Sequence, residues 1–106
     1  LKSRICGHRS FLKYIRGGQN ISTTSQHILL ESCCEANQIE IAAQEAEIER
    51  YGQPMFVKHI TNIIRGDSKF TGIAVCCKSL IDDENMELAL RNKVPIYFAL
   101  ENCFLK

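Results

Sequence analysis

The feature that most constrains this chain is an internal echo at a spacing of 40 to 45 residues. Gly7-His8-Arg9-Ser10-Phe11-Leu12-Lys13-Tyr14-Ile15 returns 45 positions later as Gly52-Gln53-Pro54-Met55-Phe56-Val57-Lys58-His59-Ile60, matching at Gly, Phe, Lys and Ile. Pro54-Met55-Phe56-Val57 returns again as Pro95-Ile96-Tyr97-Phe98, and the pair Cys33-Cys34 as Cys76-Cys77. That spacing is the period of stacked helical units. A helical unit so short cannot bury its apolar face alone, so neighbours must cover it. The expectation is a binding surface, not a catalytic centre.

Composition fits one compact domain: 106 residues, 45% hydrophobic and 24% charged. The absence of Trp and the presence of only 6 Gly and 2 Pro argue against an all-β chain. No apolar run approaches the roughly 18 residues of a membrane-spanning helix. The start at Leu1-Lys2, without an initiator Met or an apolar leader, suggests a piece cut from a longer protein, with both ends of the stack left uncovered.

Six cysteines invite two opposed readings. In a secreted domain they would be disulfide staples; in a reducing compartment they behave as small buried hydrophobes. Cys33 and Cys77 fall on helical apolar stripes, which favours reduced core cysteine and a cytoplasmic location. Cys6 and His8 make one candidate ligand pair, but no second pair completes a metal site, so neither metal nor cofactor is expected.

The net charge of +1 conceals an asymmetry. Residues 1–30 carry Lys2, Arg4, Arg9, Lys13 and Arg16 with no acid, while residues 31–49 carry Glu31, Glu35, Glu40, Glu45, Glu47 and Glu49 with no base. Such blocks read first as solvated faces. Because the acidic block interrupts the basic one, no nucleic-acid partner is expected.

Helical punctuation recurs along the chain. A short basic helix is predicted from Ser10 to Arg16, stopped at Gly17-Gly18. After a polar loop, Thr24 or Ser25 caps a helical pattern running from about Gln26 to Tyr51, broken near Ala36-Asn37-Gln38. Gly52 and Pro54 separate it from the next helix, Pro54 to Arg65, whose Phe56, Ile60, Ile63 and Ile64 share one side. Gly66 closes that helix. A stripe of Phe70, Ile73, Ala74, Cys77, Leu80 and Ile81 predicts a third long helix, followed by an acid-led helix from about Glu84 to Arg91. The last segment, reaching Phe104, is read as helix, with a strand at Val94 to Leu100 as the rival.

This order of a short helix, a Pro-led helix and a long helix resembles the armadillo repeat. The resemblance rests on Gly52-Gln53-Pro54 as the turn, Met55 to Arg65 as second helix, and Ala74, Cys77 and Leu80 at the apolar positions of the third. It implies an all-α, armadillo-like α-solenoid fragment of about two and a half units, spanning residues 7–38, 39–82 and 83–106. It implies further a non-enzymatic protein-interaction scaffold, engaging a protein or peptide partner along its third-helix surface or through uncovered repeat ends. Ser79 and Val75 stand where peptide-binding members carry Asn and Trp, so the peptide ladder itself is missing. The contacts expected on that surface are Glu31, Glu35, Thr71, Val75 and Ser79.

Other motifs have plain explanations. Arg65-Gly66-Asp67 falls where one helix stops, so turn and cap account for it without adhesion. Asn20-Ile21-Ser22 is an N-glycosylation acceptor that matters only for a secreted chain. It belongs to the alternative, a secreted disulfide-stapled helical bundle acting as a signalling or toxin-like factor. His8, His27 and His59 are scattered, and no nucleophile elbow, phosphate loop or HExxH occurs, so no enzyme is expected.

Overall fold

In the computed structural model a five-stranded sheet, not a stack of helices, forms the centre of the molecule. The structure describes residues 10–18, 20–48 and 52–105. Strand β1 (Ser10–Arg16) is followed by helix α1 (Thr23–Ala36), strand β2 (Glu40–Glu47), helix α2 (Pro54–Arg65) and strand β3 (Gly72–Val75). A 3-10 turn (Lys78–Leu80), helix α3 (Asp83–Arg91), strand β4 (Ile96–Phe98) and strand β5 (Cys103–Phe104) complete the order. The strands lie in the order β2-β1-β3-β4-β5, the first four parallel and β5 antiparallel to β4.

The expectation of an all-α, armadillo-like solenoid is thereby overturned. The stretch Phe11 to Ile15 explains why. It is apolar on both sides of an extended chain, Phe11 and Ile15 packing with Leu30 and Cys34 of α1, and Leu12 and Tyr14 packing with Phe56 and Ile60 of α2. A strand buried on both faces reads as an unbroken apolar run, which periodicity alone does not separate from a helix. Of the two echoing segments, one is strand β1 and the other helix α2. The stripe from Phe70 to Ile81 is likewise not a helix: Gly72–Val75 is a fully buried strand, and Lys78–Leu80 is one 3-10 turn. Ile96–Phe98 takes the rival strand reading.

Helices α2 and α3 stand close to the bounds expected of them. Pro54 opens α2, and Gly66, at φ 78°, closes it. There the Asp67 amide reaches the Asn62 carbonyl while the Gly66 amide reaches that of Ile63, a Schellman ending that accounts for the Arg-Gly-Asp tripeptide. Helices α1 and α3 end in the same way, but with Gln38 (φ 60°) and Lys93 (φ 58°) in the left-handed position. The residues after them, Ile39 and Val94, are buried beneath the turn.

Helix α1 covers one face of the sheet, and α2 and α3 cover the other. Right-handed crossovers between parallel strands produce this arrangement when the chain moves outward from β1 first one way and then back. The disulfide-stapled bundle is not supported either, since Cys33, Cys34, Cys76, Cys77 and Cys103 are free thiols. Cys6 and His8 lie outside the described residues. Among the described residues no helix is long and apolar enough to cross a membrane.

Candidate functional site

A doubly wound sheet places its ligands where neighbouring strands send their connections to opposite faces. Here that point lies between β1 and β3. From β1 the chain passes to α1 on one face, and from β3 it passes to α3 on the other. The residue at the C-terminal end of β1 is Arg16, followed by Gly17 and Gly18. The two glycines keep the strand end free of bulky side chains next to Arg16.

A polar network holds Arg16. Its Nη1 donates to the Leu80 carbonyl at 2.9 Å and lies 3.4 Å from Asp82 Oδ1. The Arg16 side chain retains 8% of its exposure, and that of Asp82 42%. Behind Arg16, the Gln26 side chain bonds both backbone groups of the same residue. On the neighbouring strand Glu47 stands in register with Arg16. Its carboxylate accepts the Tyr14 hydroxyl at 2.6 Å and the Met55 amide at 3.0 Å. Burial, reinforced by the hydrogen bond to Glu47, holds the Tyr14 hydroxyl well above its ordinary pKa. Tyr14 is therefore a fixed donor to Glu47. A shallow cleft lined by Glu45, Ala46, Glu47, Ile48 and Met55 opens beside it.

The five residues expected to share a third-helix surface are dispersed. Glu31 and Glu35 stand one turn apart on α1, both exposed. Glu31 accepts the ammonium of the buried Lys13 at 2.6 Å, and that hydrogen bond draws its carboxyl below the usual range. Thr71 lies at the N-terminal end of β3, its amide donating to the Ser10 carbonyl at 2.7 Å. Val75 is in the core with 0% exposure. Ser79 is beyond the other end of β3, its hydroxyl 3.2 Å from Cys77 Sγ. Only Glu31 and Glu35 face solvent together.

Sequence reasoning missed the residues that do converge: Tyr14, Arg16, Glu47, Gln53 and Asp82. The usable signal was an arginine followed by two glycines, which reads as a helix stop in a helical chain and as a ligand-facing strand end in a parallel sheet. Among the described residues no group of three His, Cys, Asp or Glu side chains is arranged to hold a metal.

The fold defines a doubly wound α/β domain with its opening at the ends of β1 and β3. No family model matches the chain, and no curated protein matches it. Among solved structures it is similar to the N-terminal catalytic domain of TP901-1 integrase, with a TM-score of 0.70 and 14% sequence identity. The likeness covers 91% of this chain and 82% of the other. At that identity it establishes the shared fold.

Proposed function

We propose that this chain binds DNA at the opening between β1 and β3, with Arg16 meeting a backbone phosphate. The observation that carries the reading is the place of Arg16: a cation held by its own network at the topological switch of a sheet, beside two glycines. A guanidinium presents a planar fork that matches phosphate oxygens, and glycine lets the polyanion approach the backbone. The similarity to an integrase catalytic domain supports DNA as the source of that phosphate.

The acidic block that argued against nucleic acid in the sequence is partly consumed within the molecule. Glu31 binds Lys13, Glu45 lies 3.1 Å from His59 Nε2, and Glu47 binds Tyr14 and the Met55 amide. We read the role as binding without covalent chemistry. Tyr14 stays protonated, and burial pushes the Cys34 and Cys76 thiols up to about 11, so neither is a thiolate nucleophile near neutral pH.

Fluorescence anisotropy with a mixed-sequence duplex tests this. Binding should weaken as salt rises, and Arg16→Ala should weaken it about tenfold while lowering the salt slope by about 1. Arg16→Lys, which keeps the charge but loses the fork, should fall between. Gly18→Asp places a carboxylate in the opening at a left-handed position that Asp tolerates, and should reduce binding in a folded protein. No binding at low salt, or folded variants that bind like the parent, would overturn the reading.

A further inference from the structure

We propose that Gln53 is the positioning residue for Arg16, an inference that rests on reading Arg16 as the phosphate ligand. Gln53 precedes the first turn of α2, where a side chain ordinarily caps the helix, yet it makes no capping bond. It has 0% exposure and sits at φ 50°, a left-handed conformation that costs a non-glycine residue free energy. A buried residue held in such a conformation points to a task that other residues cannot perform there.

The hydrogen bonds show that task. Gln53 Nε2 donates to the Leu80 carbonyl at 2.6 Å, the same oxygen that accepts Arg16 Nη1. Gln53 Oε1 accepts the Asp82 amide at 2.9 Å, and Asp82 is the residue whose carboxylate faces Arg16. Two groups that hold the guanidinium, the Leu80 carbonyl and Asp82, are therefore held in turn by one amide. Its orientation is fixed by Asn85, whose Nδ2 donates to Gln53 Oε1 at 3.0 Å and to the Gly52 carbonyl at 3.1 Å. With two donors on Oε1, Nε2 must face Leu80.

The connection from β3 to α3 is an extended segment after a single 3-10 turn, with no ladder of its own at Ile81 and Asp82. Gln53 ties it to the start of α2. It thereby sets the distance from the Leu80 carbonyl to the end of β1, and with it the direction of Arg16.

The test is a double-mutant cycle read by two probes. Gln53→Gly removes the amide and relieves the positive φ, which offsets part of the lost bonding. In folded protein it should shift or broaden the Arg16 Nε–Hε resonance in a nitrogen-15 spectrum. It should also weaken duplex DNA binding about as much as Arg16→Ala, about tenfold, and the double variant should be no weaker than Arg16→Ala alone. Gln53→Glu, which keeps the size but loses the donor, should move the same resonance. Asn85→Ser leaves Gln53 in place without its orienting donor and should move it less, in the same direction, which keeps the test usable if the Gln53 variants fail to fold. An unmoved Arg16 resonance, or losses that add in the double variant, would overturn the proposal. Should the parent bind no DNA, the functional reading fails, while the resonance still decides whether Gln53 positions Arg16.

Discussion

Gln26 serves Arg16 as a substitute strand: its Oε1 accepts the Arg16 amide at 3.1 Å, and its Nε2 donates to the Arg16 carbonyl at 2.9 Å. The same Nε2 donates to the Ile21 carbonyl at 3.0 Å, so one fully buried amide closes the last residue of β1 and the loop that leaves it. Gln26→Ala would remove both of these bonds from the buried Arg16 backbone. The expected loss is about 3 kcal/mol, seen as a lower urea midpoint with an unchanged m-value.

Gly72 has no room for a side chain. A Cβ there would lie 2.6 Å from the Pro95 carbonyl oxygen and 2.7 Å from the Phe11 ring. Gly72→Ala should cost about 3 kcal/mol or more, because the nearest contact is backbone that cannot turn aside. Thermal unfolding measures it, and a melting temperature equal to that of the parent would show that β3 and β4 can separate without penalty.

Stability should fall as the solution becomes alkaline. Cys34 and Cys76, with ordinary values of 9.0, are raised by burial to about 11 in the folded chain. Between these values the unfolded chain gives up protons that the folded chain retains, so rising pH favours unfolding. The stabilising effect is complete below pH 9 and lost as pH passes through about 11. Urea midpoints measured from pH 8 to pH 11 should decline, and less steeply in a Cys34→Ala, Cys76→Ala double variant.

If Arg16 takes a phosphate as proposed, Asp82, which stands 3.4 Å from it and is partly exposed, also competes with that phosphate for the guanidinium. Asp82→Asn removes its charge and retains its shape. Duplex binding should tighten about threefold to tenfold, within the range of a single partly screened charge contact. Weaker binding instead would mean that what Asp82 contributes to holding Arg16 outweighs its competition with phosphate.

Gln38 carries a backbone cost that glycine would not. In its left-handed position at the end of α1, Gln38→Gly should raise stability by up to about 1 kcal/mol, since its side chain is exposed. Chemical denaturation checks this.

That same residue shows why the fold was only partly legible in the sequence. α2 was readable because Pro54 opens it, Gly66 closes it and its apolar residues recur on one side. α3 was readable from its acidic first turn. The end of α1 was marked only as a break near residues 36–38, because Gln38 takes the turn that glycine usually takes, and β2 was absorbed into a continued helix. β1 and β3, buried on both faces, show no alternation to distinguish them. The echo between Phe11-Leu12-Lys13-Tyr14-Ile15 and Phe56-Val57-Lys58-His59-Ile60 is real in the letters, yet tertiary context makes one a strand and the other a helix. Once β1 was read as a helix, Arg16 became a helix terminus, and the opening beside it was invisible.

The central place of β1 also orders events during synthesis. Its first neighbour, β2, follows after one helix, but its second is Gly72–Val75, paired with residues about sixty positions earlier. At ribosomal speeds of roughly 5–20 residues per second, several seconds pass in which one edge of an apolar strand awaits its partner. The nascent chain is thus most exposed to aberrant pairing in that interval, when a chaperone that shields Phe11 to Ile15 has the most to protect.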